Sequence, residues 1–318
     1  MNNPFRLKRF EYALAFGAMV ILAGCGSPGG GGGSASTGTL SLQITDAAVD
    51  TADNVYVQFH GLELQSADGT RTTLYLCEDP MNPGETIVSD SACTTQQKSR
   101  QIDLLALNGG AVNSLLDNIT LPSGHYSWIR LMVDTAGAMD SYIVVGGNPF
   151  ELTIPSGDQT GLKLNRGFDV PAGGHADFTI DFDLRKSVHL ANGNYMLRPT
   201  LRMVNSTMVG AIAGTVNQSL IPSGCTPAVY VFSGAGATPD DIDTDSANPD
   251  PVTTASVNPT NGTYKAAFLE TGDYTVAYTC DAAADDPAVD NTADNTVTFS
   301  NIATVTVTAN SITTHNFP

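Results

Sequence analysis

The sequence predicts an all-β protein built as two antiparallel β-sandwich domains after a leader and a flexible linker. Three observations predict it. Apolar residues recur at period two in run after run, the mark of strands with one covered face. Turn pairs such as Asp68-Gly69, Pro83-Gly84, Gly146-Gly147 and Gly173-Gly174 separate the runs. Helical periodicity is nearly absent: only Ala111 to Asn118 reads as a short helix. Many short strands with scarce helix make a sandwich.

Residues 1–24 read as a secretory leader. Arg6, Lys8 and Arg9 precede an uncharged run from Tyr12 to Ala23, twelve residues where a membrane-spanning helix needs about 20. Cys25 follows Leu22-Ala-Gly24 directly, a phrase that resembles the bacterial lipobox. That resemblance implies acylation of the Cys25 thiol, cleavage before it, and acylation of the new N-terminus. More than one acyl chain gives stable anchoring without a spanning helix. Gly26, in place of Asp, favours the outer membrane by analogy with sorting in enteric bacteria. Residues 25–37 form the lipidated cysteine and a Gly/Ser-rich tether that cannot bury apolar area.

The chain carries 14 Lys+Arg against 32 Asp+Glu, a net charge of −18. Without residues 1–24 the balance is 11 against 31. Such a surface repels phosphate backbones, which excludes nucleic acid as a partner class. Four cysteines remain besides Cys25: Cys77, Cys93, Cys225 and Cys280. In an exported chain an even number reads as disulfides, and Cys77–Cys93 with Cys225–Cys280 keeps each within one domain. No CxxC or nearby histidine pair supports a metal site in their place.

The first domain is expected over residues 38–205. Leu40, Leu42 and Ile44 alternate with Ser41 and Gln43. Val55, Val57 and Phe59 repeat the pattern, as do Ile129, Leu131 and Val133. Phe178, Ile180, Phe182 and Leu184 put Asp181 and Asp183 on the opposite face, which one-sided burial would leave wet. Asp46, Asp50, Asp53, Asp181 and Asp183 could form a calcium or acid–base site, although aspartates on a wet face and in turns explain them without one. His60, His125, His175, His189 and His315 are scattered with no paired spacing, and no GxSxG, HExxH or phosphate-cradling loop occurs.

Several phrases in this stretch resemble a bacterial lipoprotein family known as domain of unknown function 4382. They are Gly38-Thr-Leu-Ser-Leu-Gln-Ile-Thr-Asp46, Val55-Tyr-Val57, Ile102-Asp-Leu-Leu105, Leu121-Pro-Ser-Gly-His-Tyr126, Ile154-Pro-Ser-Gly157, Ile180-Asp-Phe-Asp183, Ser187-Val188 and Tyr195-Met-Leu-Arg-Pro199. They follow the family's order. The resemblance implies an exported, β-rich envelope domain and brings no activity with it.

The second domain is expected over residues 208–318. Gly210 to Val216 opens new strands, and Val229 and Val231 alternate with Tyr230 and Phe232. Asn261-Gly-Thr-Tyr264, then Leu269, Gly272, Tyr274 and Val276, is similar to the carboxypeptidase regulatory-like and prealbumin-like sandwich modules. That similarity implies an immunoglobulin-like sandwich used as a spacer or display unit, not a peptidase. Tyr274, Val276, Tyr278 and Cys280 share a face, so Cys280 is expected to reach Cys225 across the core. Asp241, Asp243 and Asp245 begin like a calcium loop, but Ser246 replaces the required glycine and Val252 the terminal Glu, which excludes an EF-hand. A second acidic run holds Asp281, Asp285, Asp286, Asp290 and Asp294. Both read as solvated loops, with Ca2+ binding as the sharper alternative.

Together these features predict a membrane-anchored envelope protein with a non-catalytic binding, adhesion or display role. Its expected partners are the membrane, through the lipid, and an envelope protein or polysaccharide. Two other classes remain open: an envelope hydrolase using an aspartate pair or bound cation, and a calcium-stabilised spacer.

Overall fold

The computed structural model describes residues 36–47, 52–155, 157–243, 249–287 and 296–318. Its opening strand, Thr37–Ala47, is central to a four-stranded sheet ordered Leu201–Asn205, His175–Asp183, Thr37–Ala47, Asn113–Pro122. The alternation read from sequence is real: Leu40, Leu42 and Ile44 are all buried. Two details depart from expectation. Thr37–Ala47 runs parallel to His175–Asp183, in register from Thr39 opposite His175 to Ala47 opposite Asp183, so this sheet is mixed. Residues 111–118 are also not helical. Asn113–Pro122 is a strand paired with Thr37–Ala47 and interrupted by a bulge. The bulge turns both Leu115 and Leu116 inward, with Asn118 at φ +51°, and an adjacent apolar pair imitates helical spacing.

The facing sheet has eleven strands and is organised on Asn54–Ser66. That long strand pairs with Arg100–Asp103 and Tyr142–Val145 near its start, and with Arg71–Glu78 and Gly124–Val133 further along. Val55, Val57, Phe59, Leu62 and Leu64 meet Leu42, Ile44, Ile180 and Phe182 in one continuous core. Trp128, the chain's single tryptophan, is nearly buried on this sheet beneath three cations. Arg71 and Arg130 lie 5.5 and 5.9 Å from its ring centroid, and Lys163 lies 4.7 Å away.

Among the described residues, those beyond Asn205 share no sheet with those before it. A three-stranded sheet (Thr263–Glu270, Val209–Thr215, Ile312–Thr314) faces a four-stranded one (Thr253–Ser256, Ala228–Ser233, Gly272–Thr279, Ser300–Val307). Ile212, Tyr264 and Leu269 pack there against Val229, Val231, Val276 and Tyr278. The other face of the four-stranded sheet is covered too. Tyr230 and Phe232 are fully buried against Ile242 and Ala282, which belong to the two acidic insertions. Residues 35–318 form one compact unit.

Cys77 is bonded to Cys93, and Cys225 to Cys280. The second disulfide does not cross the core as expected. It ties the ends of two strands adjacent in one sheet, where Thr226 N–H donates to Cys280 O at 2.8 Å.

Candidate functional site

The parallel pairing of the opening strand with His175–Asp183 sets the site. It places Asp46 beside Phe182 and Thr45 beside Asp181, so the carboxylates gather at the ends of the two strands. That end is covered rather than wet. Asp46 is 5 % exposed, Asp181 5 % and Asp183 9 %, which corrects the expectation of solvated aspartates. The sequence gives the alternation correctly, but nothing local reports that the far face would be closed by residues 209–318.

Each carboxylate has a distinct setting. Asp181 is ion-paired with Arg202. Asp183 caps the short helix Leu184–Ser187, accepting from Lys186 N–H at 3.1 Å. Asp46 Oδ1 accepts from Leu184 N–H at 3.3 Å. Burial pushes Asp46 well above the usual carboxylate range, with Asp181 and Asp183 adding repulsion. Burial also raises Asp181, against the pull of Arg202. It raises Asp183 to about 6, against Lys186 and its cap bond. Asp53 is exposed and serves elsewhere, accepting from Gly147 N–H at 2.8 Å. Asp50 lies outside the described residues.

The same short helix sends two cations into the acidic insertions. Arg185, 4 % exposed, donates through Nη1 to Tyr230 Oη at 3.0 Å and to Ala282 O at 2.8 Å, and its guanidinium lies 5.4 Å from the Tyr230 ring centroid. Tyr230 Oη in turn donates to Asp285, whose other oxygen accepts from Ile242 N–H. Lys186 Nζ donates to Asp250 Oδ2 at 3.0 Å and Pro251 O at 2.9 Å. The described parts of the insertions are therefore not solvated loops: Asp240 and Asp241 are buried, and burial lifts Asp285 to about 6 against its Tyr230 bond and Arg185. Of the calcium candidates, Asp241 and Asp243 lie in this layer, while Asp245 lies outside the described residues, as do Asp290 and Asp294. Among the described residues no three His, Cys, Asp or Glu side chains converge as metal ligands. Arg185 and Lys186 were not predicted. Their signal is a basic pair in a base-poor chain, directly after Ile180-Asp-Phe-Asp183.

The histidines keep separate company. His60 pairs with Asp134, His125 with Asp169, and His175 bonds Thr39, while His315 packs against Phe317. Cys25 lies outside the described residues.

A cavity of about 480 Å3 opens beside the buried carboxylates. Thr45, Asp46 and Asp181 form one wall, with Gly109 and Gly110, and the segments 253–259 and 263–268 form the other.

No curated protein matches the chain. Among solved structures it is similar to a leucine-rich repeat protein from Bacteroides thetaiotaomicron at 14 % identity, covering 89 % of this chain and 26 % of that one, with a TM-score of 0.19. The Bacillus anthracis TIE protein matches at 11 % identity over 88 % and 50 %, with a TM-score of 0.20. The minor pilin GBS52 of Streptococcus agalactiae matches at 11 % over 87 % and 94 %, with a TM-score of 0.19. The chain thus spans a quarter and a half of the first two, and likenesses this faint carry no argument about role. A family model matches residues 37–199, just over half of the sequence. The chain belongs to the family described as Domain of unknown function (DUF4382).

Proposed function

We propose that this is a lipid-anchored envelope protein with a non-catalytic binding, adhesion or structural role, held to the outer membrane through Cys25. Residues 208–318 would act in it as a carboxypeptidase regulatory-like display module. The observation that carries the non-catalytic reading is the engagement of the carboxylates. Asp181 is held by Arg202, Asp183 caps a helix, and Asp285 is bound by Tyr230 and Ile242 N–H. Groups fixed in this way are committed to structural bonds within their own regions and are not free to exchange protons with a substrate, while Arg185 and Lys186 join the two regions. The location rests on the charge, apolar run, cysteine and tether in residues 1–37.

Protease treatment of intact cells, followed by mass spectrometry, tests the location. Release of peptides from both 38–205 and 209–318 is expected for a surface display role. Cleavage only after the envelope is opened would move the search to partners in the periplasm, and a Cys25→Ala chain still fractionating with membranes would remove the anchor.

One observation favours the hydrolase alternative: Asp46 and Asp181 share a cavity wall, and both have raised pKa values. It moves the candidate pair from Asp181 and Asp183 to Asp46 and Asp181. Turnover in a broad hydrolase screen that is abolished by Asp46→Asn would establish it.

A further inference from the structure

The second sandwich leaves one long strand edge open. Ser300–Val307 ends the four-stranded sheet, paired with Gly272–Thr279 on one side and with no strand on the other among the described residues. Its free groups follow from the ladder. Gly234 N–H donates to Asp273 O at 2.8 Å, which turns Asp273 and Thr275 toward Ala228–Ser233. Tyr274 and Val276 then face Val305 and Ala303, so Thr304 and Thr306 present their N–H and C=O groups at the open edge. Both threonines are exposed. The Thr306 carbonyl accepts from Thr313 Oγ1 at 2.8 Å, which leaves Thr304 at the centre of the open stretch. Natural edges are usually blunted by charge or proline. Among the described strands that end a sheet and run beyond four residues, Leu201–Asn205 carries Arg202, Asn113–Pro122 carries Asp117, and Thr263–Glu270 carries Lys265 and Glu270. Ser300–Val307 carries no charge, and neither does any residue from 295 to 318. Its one irregularity lies at its start, and Ala303 to Val307 stay in register. Ile302 is 54 % exposed beside that stretch, and Ile312, next to Thr313, is 60 % exposed. An uncharged, β-branched edge without proline is a template for pairing with another strand.

We propose that this edge pairs with the same edge of a second copy of the chain, antiparallel about a two-fold axis at Thr304, joining two four-stranded sheets into one. Charge selects the occupant. Outside residues 1–24 the chain carries 31 acids against 11 bases, so two copies repel over most approaches. Residues 295–318 carry nothing that repels a copy, and nothing that an oppositely charged partner could read. Asp273, paired with Thr306, is engaged by Thr306 Oγ1 at 2.6 Å. The contact is self-complementary. Thr304 N–H of each copy donates to Thr304 O of the other, and the arrangement closes at two copies. The same register lays Ile302 of each copy beside Thr306 of the other and takes exposed apolar surface out of water. Self-association through this edge does not depend on the lipid anchor and goes beyond the role proposed above.

The test uses the chain from residue 35 onward, one compact unit, with both disulfides intact. Sedimentation velocity from about 10 µM to about 1 mM is expected to show a monomer passing into a dimer, weak as small interfaces are. Thr304→Lys sets two lysines against each other at the axis and is expected to weaken the dimer at least about tenfold, as is Ile302→Lys. Both positions are exposed, so the thermal transition is expected to stay in place. Leu190→Lys, on the short uncharged edge Val188–Ala191 of the first sandwich, is expected to change nothing. Raising the salt from about 0.05 M to about 0.5 M is expected to tighten the dimer by screening the acids. Hydrogen exchange at the Thr304 amide is expected to slow as the dimer forms, which a contact elsewhere on the surface would not cause. A monomer at every concentration overturns the proposal. So does a dimer that both substitutions leave unchanged, that Leu190→Lys breaks, that salt weakens, or that forms without slowing exchange at Thr304. None of these outcomes bears on where the protein sits, which the protease experiment decides separately.

Discussion

Leu121-Pro-Ser-Gly-His-Tyr126 and Leu269-Glu-Thr-Gly-Asp-Tyr274 lie in different sandwiches and have the same spacing. They also end in the same bond: Tyr126 Oη donates to Pro122 O at 2.9 Å, and Tyr274 Oη to Glu270 O at 2.8 Å. In each, a glycine in a conformation that disfavours other residues turns the chain from one strand into the next, with φ +142° at Gly124 and +157° at Gly272. The tyrosine then ties the corner back on itself, the device known from other sandwiches. The strands that follow have different surroundings. Gly124–Val133 keeps five of its ten residues at least partly open, whereas in Gly272–Thr279 every residue from Tyr274 onward is buried. The corner sets where a strand begins. What covers its far face is decided by distant insertions, here those carrying Ile242 and Ala282.

The largest test of this contrast lies in the disulfides. Cys225–Cys280 closes a separation of 55 residues and Cys77–Cys93 one of 16. In the chain-entropy model these contribute about 4 and about 3 kcal/mol. Replacing Cys225 and Cys280 together by alanine should therefore lower the urea midpoint more than replacing Cys77 and Cys93. An equal or reversed order would show that the hairpin of the first sandwich depends on its bridge more than the covered sheet of the second does.

A second test uses pH. Burial raises the folded pKa of Asp183 and Asp285 to about 6 from 3.8, so each binds its proton more tightly folded than unfolded. A raised carboxylate contributes stability that is complete below the unfolded value and is lost as pH rises through the folded one. Moving from pH 7 to pH 5 should then stabilise the protein, by about 3 kcal/mol for the two groups together. Buried Asp46 and Asp181 shift in the same direction. His315, lowered by burial, opposes them, and the lowered carboxyls of Asp68, Glu78 and Asp79 titrate below this window. Thermal melts across that range decide it, and Asp285→Asn should flatten the part due to the second region.

The smallest expected effect is at the corners. Tyr126→Phe and Tyr274→Phe each remove one partly buried hydrogen bond, worth about 1 kcal/mol. Similar losses in both would mark the corners as equivalent. A markedly larger loss at Tyr274 would mean that the covered sheet amplifies the defect.

How much of this was legible in the sequence follows from which signals are local. Strand alternation is local, so the cores around Leu42, Val57 and Val229 could be read directly. The corners were legible for the same reason. Strand direction is not local, and nothing in Thr37–Ala47 announces a parallel partner 136 residues on at His175. Period two likewise separates Asp181 and Asp183 from Ile180 and Phe182 without saying whether the second face meets water. The bulge at Leu115 and Leu116 defeated the periodicity outright. Arg185 and Lys186 could have been matched to the acidic insertions by charge, but only by abandoning the assumption that loops are wet.

The position of Trp128 has an optical consequence. Indole emission from this chain comes entirely from the first sandwich, whereas the backbone dichroism of its strands comes from both. An unfolding curve followed at the two wavelengths separates one cooperative molecule from two: superimposable transitions mean that the Arg185 and Lys186 contacts weld the regions into a single folding unit, and displaced ones reveal which sandwich opens first.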